Sequence, residues 1–253
     1  MIDNPGVALV TGASRGIGRA LAEDLLARGW RVAALSRDQE ALSAFAAAAP
    51  ADRVLPLVAD VTDGPAMSQS FAALAALWRV PDLVVANAGV LAAVGPTWQT
   101  DPEQWWYEFE VNVRGVYTTL RNVVPAMVQR GSGRVVVMSS GLGRAPSPWS
   151  SAYGASKAAI THLVSSIAAE LTGTGVAVFA ISPGMVRTDM TDWPEELLAH
   201  RPDLASMPDS AYLPASHAAD LVADLASCRL DALSGRFIHV RADREELLAK
   251  VRA

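Results

Sequence analysis

Three side chains in one short stretch have types and spacing suited to proton transfer. Tyr153 and Lys157 stand four residues apart, and Ser140 precedes the tyrosine by thirteen residues. On a helix, residues i and i+4 share a face. An ammonium beside a phenol favours the phenolate, and a phenol so tuned is a usable general acid or base near neutral pH. A hydroxyl from a separate segment can hold a carbonyl or alcohol oxygen at the same point. Tyr-x-x-x-Lys also arises by chance on exposed helix faces, so the weight rests on the elements that would position the pair.

Those elements alternate. Runs of β-type residues at 7–10, 31–35, 53–58, 82–86, 134–138, 176–181 and 237–240 are separated by helical periodicity. The helices fall at 19–28, 38–48, 66–77, 102–130 (in two pieces) and 151–171, with a short charged helix after the last strand. Strand–helix alternation with unbroken apolar strands predicts an α/β fold, a doubly wound parallel sheet of about seven strands with helices on both faces. No linker or repeat divides the chain, so residues 1–253 are expected to form a single domain. The proline-rich stretch at about 188–214 interrupts the rhythm and is read as a substrate lid.

The 253 residues carry a formal net charge of −5, which argues against a nucleic-acid partner. A single cysteine, Cys228, permits no internal disulfide, and no His/Cys cluster has metal-ligand spacing. The N-terminus lacks a basic region followed by an apolar one, and no apolar run approaches bilayer length. A cytoplasmic protein with no membrane partner is expected.

Thr11-Gly12-Ala13-Ser14-Arg15-Gly16-Ile17-Gly18 follows the first strand and opens the first helix. Glycines there permit a tight turn and close phosphate approach, and the helix N-terminus offers free N–H groups. The G-x-x-x-G-x-G spacing is neither G-x-G-x-x-G nor a Walker A loop. At the end of the second strand, Ser36 stands where an acid would meet the ribose of NAD, and Arg37 follows. With Arg15 it would supply two guanidinium groups for a 2′-phosphate, which predicts NADP(H). The competing reading gives the ribose to Asp38, but that residue is placed to cap the next helix.

With these pieces in order, the whole chain resembles the single-domain short-chain dehydrogenase/reductase family. The motifs are Thr11 to Gly18, Asp60-Val61, Asn87-Ala88-Gly89, Asn112, Ser140, Tyr153/Lys157, and Pro183-Gly184 with Thr188. The resemblance implies a Rossmann-type fold and reversible hydride transfer between a nicotinamide and a carbonyl or alcohol. It implies Tyr153 as general acid/base, Lys157 lowering its pKa and holding the nicotinamide ribose, and Ser140 positioning the substrate oxygen. It further implies Asn112 breaking its helix to hold a relay water, Asp60 near the adenine, and Asn87 holding the cofactor-side turn. Val186 and Thr188 would contact the carboxamide. The chain departs from the family at Ala86-Asn87, where two asparagines are usual, and in lacking a glycine-rich C-terminal motif.

Loops at 90–98, 141–149 and 188–207 would shape the substrate site with Leu91, Val94, Trp98, Leu142, Trp149, Met190, Trp193 and Met207. That lining suits a hydrophobic ketone or secondary alcohol, with Arg144 and Arg187 at the rim. By the resemblance, the two long helices would pair in a homodimer or homotetramer. A catalytically silent NADP(H)-binding regulator is the alternative, disfavoured by the complete Ser140, Tyr153, Lys157 and Asn112 set. A sugar-nucleotide epimerase would need a larger C-terminal region than this chain has.

Overall fold

The computed structural model describes residues 6–252; the N-terminal stretch 1–5, read above for targeting signals, lies outside them. In chain order the first half runs β1 (Val7–Thr11), α1 (Gly16–Ala27), β2 (Arg31–Ser36), α2 (Gln39–Ala48), β3 (Val54–Val58), α3 (Gly64–Leu77) and β4 (Leu83–Ala86). Then come α4 (Pro102–Phe109), a π-helical turn (Glu110–Arg114), α5 (Gly115–Arg130), β5 (Gly133–Met138), α6 (Ser151–Glu170) and β6 (Val176–Ser182). The chain closes with α7 (Glu195–His200), α8 (Ala215–Ala226), β7 (Phe237–His239) and α9 (Arg244–Arg252).

The seven strands form one parallel sheet in the order β3-β2-β1-β4-β5-β6-β7. β1 is buried throughout, because alternate residues feed opposite faces. Ala8 and Val10 join a core with α1, α2 and α8, whereas Val7 and Leu9 join one with α3, α5 and α6. Pro56 lies in β3, at the sheet edge, where a missing N–H is tolerated. The order reverses between β1 and β4, opening a crevice above their C-terminal ends, where such sheets bind ligands.

The helical region 102–130 is in two pieces joined without a loop. α4 and α5 meet through the π turn, which widens the helix at Asn112. The stretch 188–214 holds short helical pieces, α7 and three 3-10 turns. Helix α8 falls where the sequence reading assigns no element. Its residues Ala218, Leu221, Val222 and Leu225 follow i, i+3, i+4, i+7 and fill the core beside α1.

Candidate active site

A cleft of about 230 Å³ follows the crevice from the glycine turn to the start of α6. At its outer end, α1 begins at Gly16 without a side-chain cap and without an acidic residue in its first turn. Its first N–H groups therefore remain free for an anion. Gly12 has φ +67°, and a Cβ on Gly18 would lie 2.2 Å from the Gly12 carbonyl oxygen, so the turn demands both glycines. Asn87 ties the turn to β4: its side chain donates to the carbonyls of Thr11 (3.0 Å) and Gly12 (3.4 Å).

Most of the expected cofactor residues line this one cleft: Gly12, Ser14, Arg15, Gly16, Ile17, Gly18, Ser36, Arg37, Asp60, Val61, Asn87, Ala88, Gly89, Tyr153, Lys157, Pro183 and Thr188. Two do not. Val186 is buried, and Gly184, at φ +72°, turns the chain against Leu213. Met138 and Asp189, which the sequence reading does not single out, also line the cleft, as does Met190, expected there as a substrate-site residue. The glycine cradle, free helix N-terminus and elongated cleft fit a dinucleotide. Among the described residues no group of acidic, histidine and cysteine side chains could hold a metal.

The second-strand end is polar and cationic. Asp38 caps α2 by accepting the Ala41 N–H (2.9 Å), which commits its carboxylate. Ser36 donates to Ser14 Oγ (2.9 Å). Arg37 reaches Asp60 (3.2 Å) and the Tyr107 hydroxyl (3.3 Å). Arg15 spans the cleft mouth to Asp189 (2.5 Å). Both pairs are exposed, and exposed pairs contribute little stability, so an incoming phosphate could displace them.

At the inner end, α6 presents Tyr153 and Lys157 on one face. Ser140 caps the short turn Gly141–Gly143, accepting the Leu142 N–H (3.2 Å), and its hydroxyl faces the phenol. Its neighbour Ser139 is buried and packs its hydroxyl against Thr161 Oγ1 (2.7 Å) and the Lys157 carbonyl (3.2 Å), a structural role. Lys157 is 3% exposed and donates to the Met138 carbonyl (2.9 Å), with Nζ 5.4 Å from the Tyr153 ring centroid. Asn112 is buried behind the cleft wall. Its amide accepts the Val90 N–H (2.8 Å) and donates to the Val90 carbonyl (2.9 Å) and Ser156 Oγ (3.1 Å).

Burial dominates the electrostatics of this cluster. Burial pushes the phenol up to about 12, with Ser140 opposing and Glu108 adding to the rise. The ammonium turns toward Met138 rather than the phenol oxygen, and burial draws it down to about 8. Glu108 is itself fully buried beside this cluster. The sequence reading does not single it out.

Of the apolar residues expected at the substrate site, Met190 lines the cleft at 37% exposed, whereas Leu142, 41% exposed, is not among its lining residues. Trp149, at φ +67°, stacks on His200 at the end of α7 with centroids 4.4 Å apart. Trp98 is 82% exposed, at the tip of its loop rather than in the site. Arg187 is engaged by Asp209 and lies over the Tyr212 ring (4.1 Å), and Arg144 lies over Phe237 (5.2 Å).

Comparison with known proteins agrees with this architecture. The family model for short chain dehydrogenases matches residues 6–196. The chain is 38% identical to 2-(R)-hydroxypropyl-CoM dehydrogenase of Xanthobacter autotrophicus, over 87% of this chain and 90% of that one. It is 36% identical to the NADPH-dependent pterin aldehyde reductase of Arabidopsis thaliana, over 72% and 75%. The crystal structure of levodione reductase superposes with a TM-score of 0.86 at 29% identity, covering 97% of this chain and 99% of that one. A seven-stranded sheet in this order, a glycine cradle at its switch point and a Ser/Tyr/Lys cluster at the cleft's inner end accompany those similarities, and the chain belongs to the short-chain dehydrogenase/reductase family of oxidoreductases.

Proposed function

We propose that the protein is an NADP(H)-dependent oxidoreductase acting on a hydrophobic ketone or secondary alcohol. The observation that carries this reading is the convergence of Ser140, Tyr153 and Lys157 on the inner end of a cleft whose outer end is a glycine cradle flanked by Arg15 and Arg37. Gly12, Ser14, Gly16, Ile17 and Gly18 would hold the pyrophosphate. Ser36, Arg37 and Arg15 would hold a 2′-phosphate, and Asp60 and Val61 the adenine. Ala88, Gly89, Tyr153 and Lys157 would flank the nicotinamide ribose, with Pro183 and Thr188 beside the ring. The commitment of Asp38 to its helix cap supports NADP(H) over NAD(H).

When bound, the nicotinamide supplies or takes the hydride. The chain's own part is orientation and proton transfer. Ser140 and Tyr153 donate hydrogen bonds to the substrate oxygen, and Tyr153 gives it a proton in reduction. The phenol is protonated at neutral pH, the form that can give a proton to a carbonyl oxygen. The Lys157 ammonium compensates the phenolate left behind, and Asn112 fixes Val90 and hence the cleft wall.

Apolar Val90, Met138 and Met190 in the cleft lining, and the engagement of Arg144 and Arg187 elsewhere, support a neutral, hydrophobic substrate. The similarity to a 2-(R)-hydroxypropyl-CoM dehydrogenase and to an NADPH-dependent pterin aldehyde reductase supports carbonyl–alcohol interconversion. The segment 188–214 would act as a lid, with the Trp149–His200 stack as its contact across the mouth. Exposed Trp106 and Tyr117 on α4 and α5 would serve subunit pairing, and the free Cys228 suits the reducing cytoplasm.

The test is NADPH and NADH consumption against a panel of aliphatic and aromatic ketones and aldehydes. NADPH-preferring turnover is expected on apolar ketones. Binding of NADPH without turnover on any carbonyl or alcohol would favour the silent regulator instead.

A further inference from the structure

The guanidinium of Arg37, which follows β2, is held by two groups from elsewhere in the chain. Its Nη1 donates to Asp60 Oδ2 (3.2 Å), just beyond β3, and to the hydroxyl of Tyr107 (3.3 Å), on α4. Tyr107 lies 70 positions from Arg37 in the sequence, and it is 39% exposed. Four residues after it, Val111 lines the cleft beside Arg37 and Asp60, so α4 and the π turn bring both residues to the same end of the site.

The two partners of Arg37 differ in what they permit. Asp60 is an acid, and its other oxygen accepts the N–H (2.8 Å) and the hydroxyl (2.7 Å) of Thr62. A carboxylate beside the guanidinium repels a second anion at the same place. The tyrosine hydroxyl is neutral and can keep its bond while a phosphate arrives. Both bonds leave from one nitrogen. A guanidinium has five N–H donors in a fixed fork, so Nη2 and Nε can meet a phosphate while Nη1 stays tied. The Arg37 side chain is 62% exposed. An exposed arginine gives up rotamer freedom when it binds a ligand, and a partner that fixes it beforehand reduces that cost.

We propose that Tyr107 is a positioning residue for the 2′-phosphate of NADP(H): its hydroxyl holds Arg37 in the pose that receives the phosphate. This rests on the NADP(H) reading of Arg37. Among the described residues Tyr107 is the one neutral group hydrogen-bonded to that side chain. NADH has no 2′-phosphate, so its affinity is indifferent to the pose of Arg37, and the role of Tyr107 is confined to the preference between the two cofactors.

The test is fluorescence titration of the full chain with NADPH and with NADH, in wild type, Tyr107→Phe, Arg37→Ala and the double variant; no substrate is needed. Tyr107→Phe keeps the ring and removes the hydroxyl. It should lower the NADPH-to-NADH affinity ratio at least roughly threefold. In the Arg37→Ala background the same substitution should move that ratio less than roughly threefold, because the residue it acts through is gone. A merely structural role would weaken both cofactors alike and leave the ratio in place. A fall of less than roughly threefold in Tyr107→Phe, or a fall that persists undiminished in Arg37→Ala, overturns the proposal. If Arg37→Ala lowers the ratio and Tyr107→Phe does not, the NADP(H) reading stands and the role of Tyr107 is lost. If Arg37→Ala leaves the ratio unmoved, the 2′-phosphate assignment of Arg37 fails and takes the positioning role with it.

Discussion

Replacing Asn112 by alanine tests whether the π turn and its asparagine build the cleft wall. The side chain is fully buried and makes three hydrogen bonds, two to Val90 and one to Ser156. Truncation strands the Val90 N–H and carbonyl, and each stranded buried group costs about 1–3 kcal/mol. Val90 is partly buried, so water can re-satisfy some of that loss. The net cost is then about 3 kcal/mol, a large share of the roughly 5–15 kcal/mol that holds a domain together. For a chain of this length that corresponds to a melting temperature lower by about 6–12 °C. Urea unfolding followed by circular dichroism measures the free energy, and calorimetry the temperature. Asn112→Asp, which keeps the acceptor for Val90 N–H but not the donor, should fall between the two. A fall of less than 2 °C for Asn112→Ala would refute the reasoning, because the three bonds would then carry no weight.

Three further outcomes follow from the same geometry. Because burial draws Lys157 from about 10.5 to about 8, the unfolded chain binds more protons than the native one between those values. Stability should therefore rise with pH from about 8 to 10, and this rise should vanish in Lys157→Met, as pH-dependent urea midpoints would report. Arg37→Glu should raise the KM for NADPH roughly tenfold or more while leaving that for NADH within about threefold; equal losses for both would count against the 2′-phosphate assignment. Gly18→Ala puts a methyl group 2.2 Å from the Gly12 carbonyl and 2.4 Å from Asn87 Nδ2, so dinucleotide affinity by fluorescence titration should fall at least about tenfold.

Much of this architecture is legible in the chain because its signals are local. The strands are continuous apolar runs, and their alternation with helices implies a parallel sheet covered on both faces, though not its strand order. Asp38 could be read as a cap from its position alone, and it is one. The periodicity of α8 is also local; the proline-rich stretch before it masked a pattern of Ala218, Leu221, Val222 and Leu225 that was there to find. Other features are tertiary. Nothing nearby in sequence separates buried Glu108 from exposed Glu110, since the burial of Glu108 comes from the packing of α4 and α6 and from the 90–93 wall. Arg15 meets a carboxylate 174 positions away. The hydrogen bond from Lys157 to the Met138 carbonyl depends on a strand end that the Tyr-x-x-x-Lys spacing does not mention.

The most direct test of the account is Tyr153→Phe. The substitution removes the phenol oxygen and leaves the ring, the cleft and the Arg15 and Arg37 sites in place. NADPH affinity should stay within about threefold of wild type, while turnover on the best ketone of the panel should fall at least about a thousandfold, within the scale of general acid catalysis. Turnover retained within tenfold, with NADPH still bound, would contradict the assignment of Tyr153 as the proton donor.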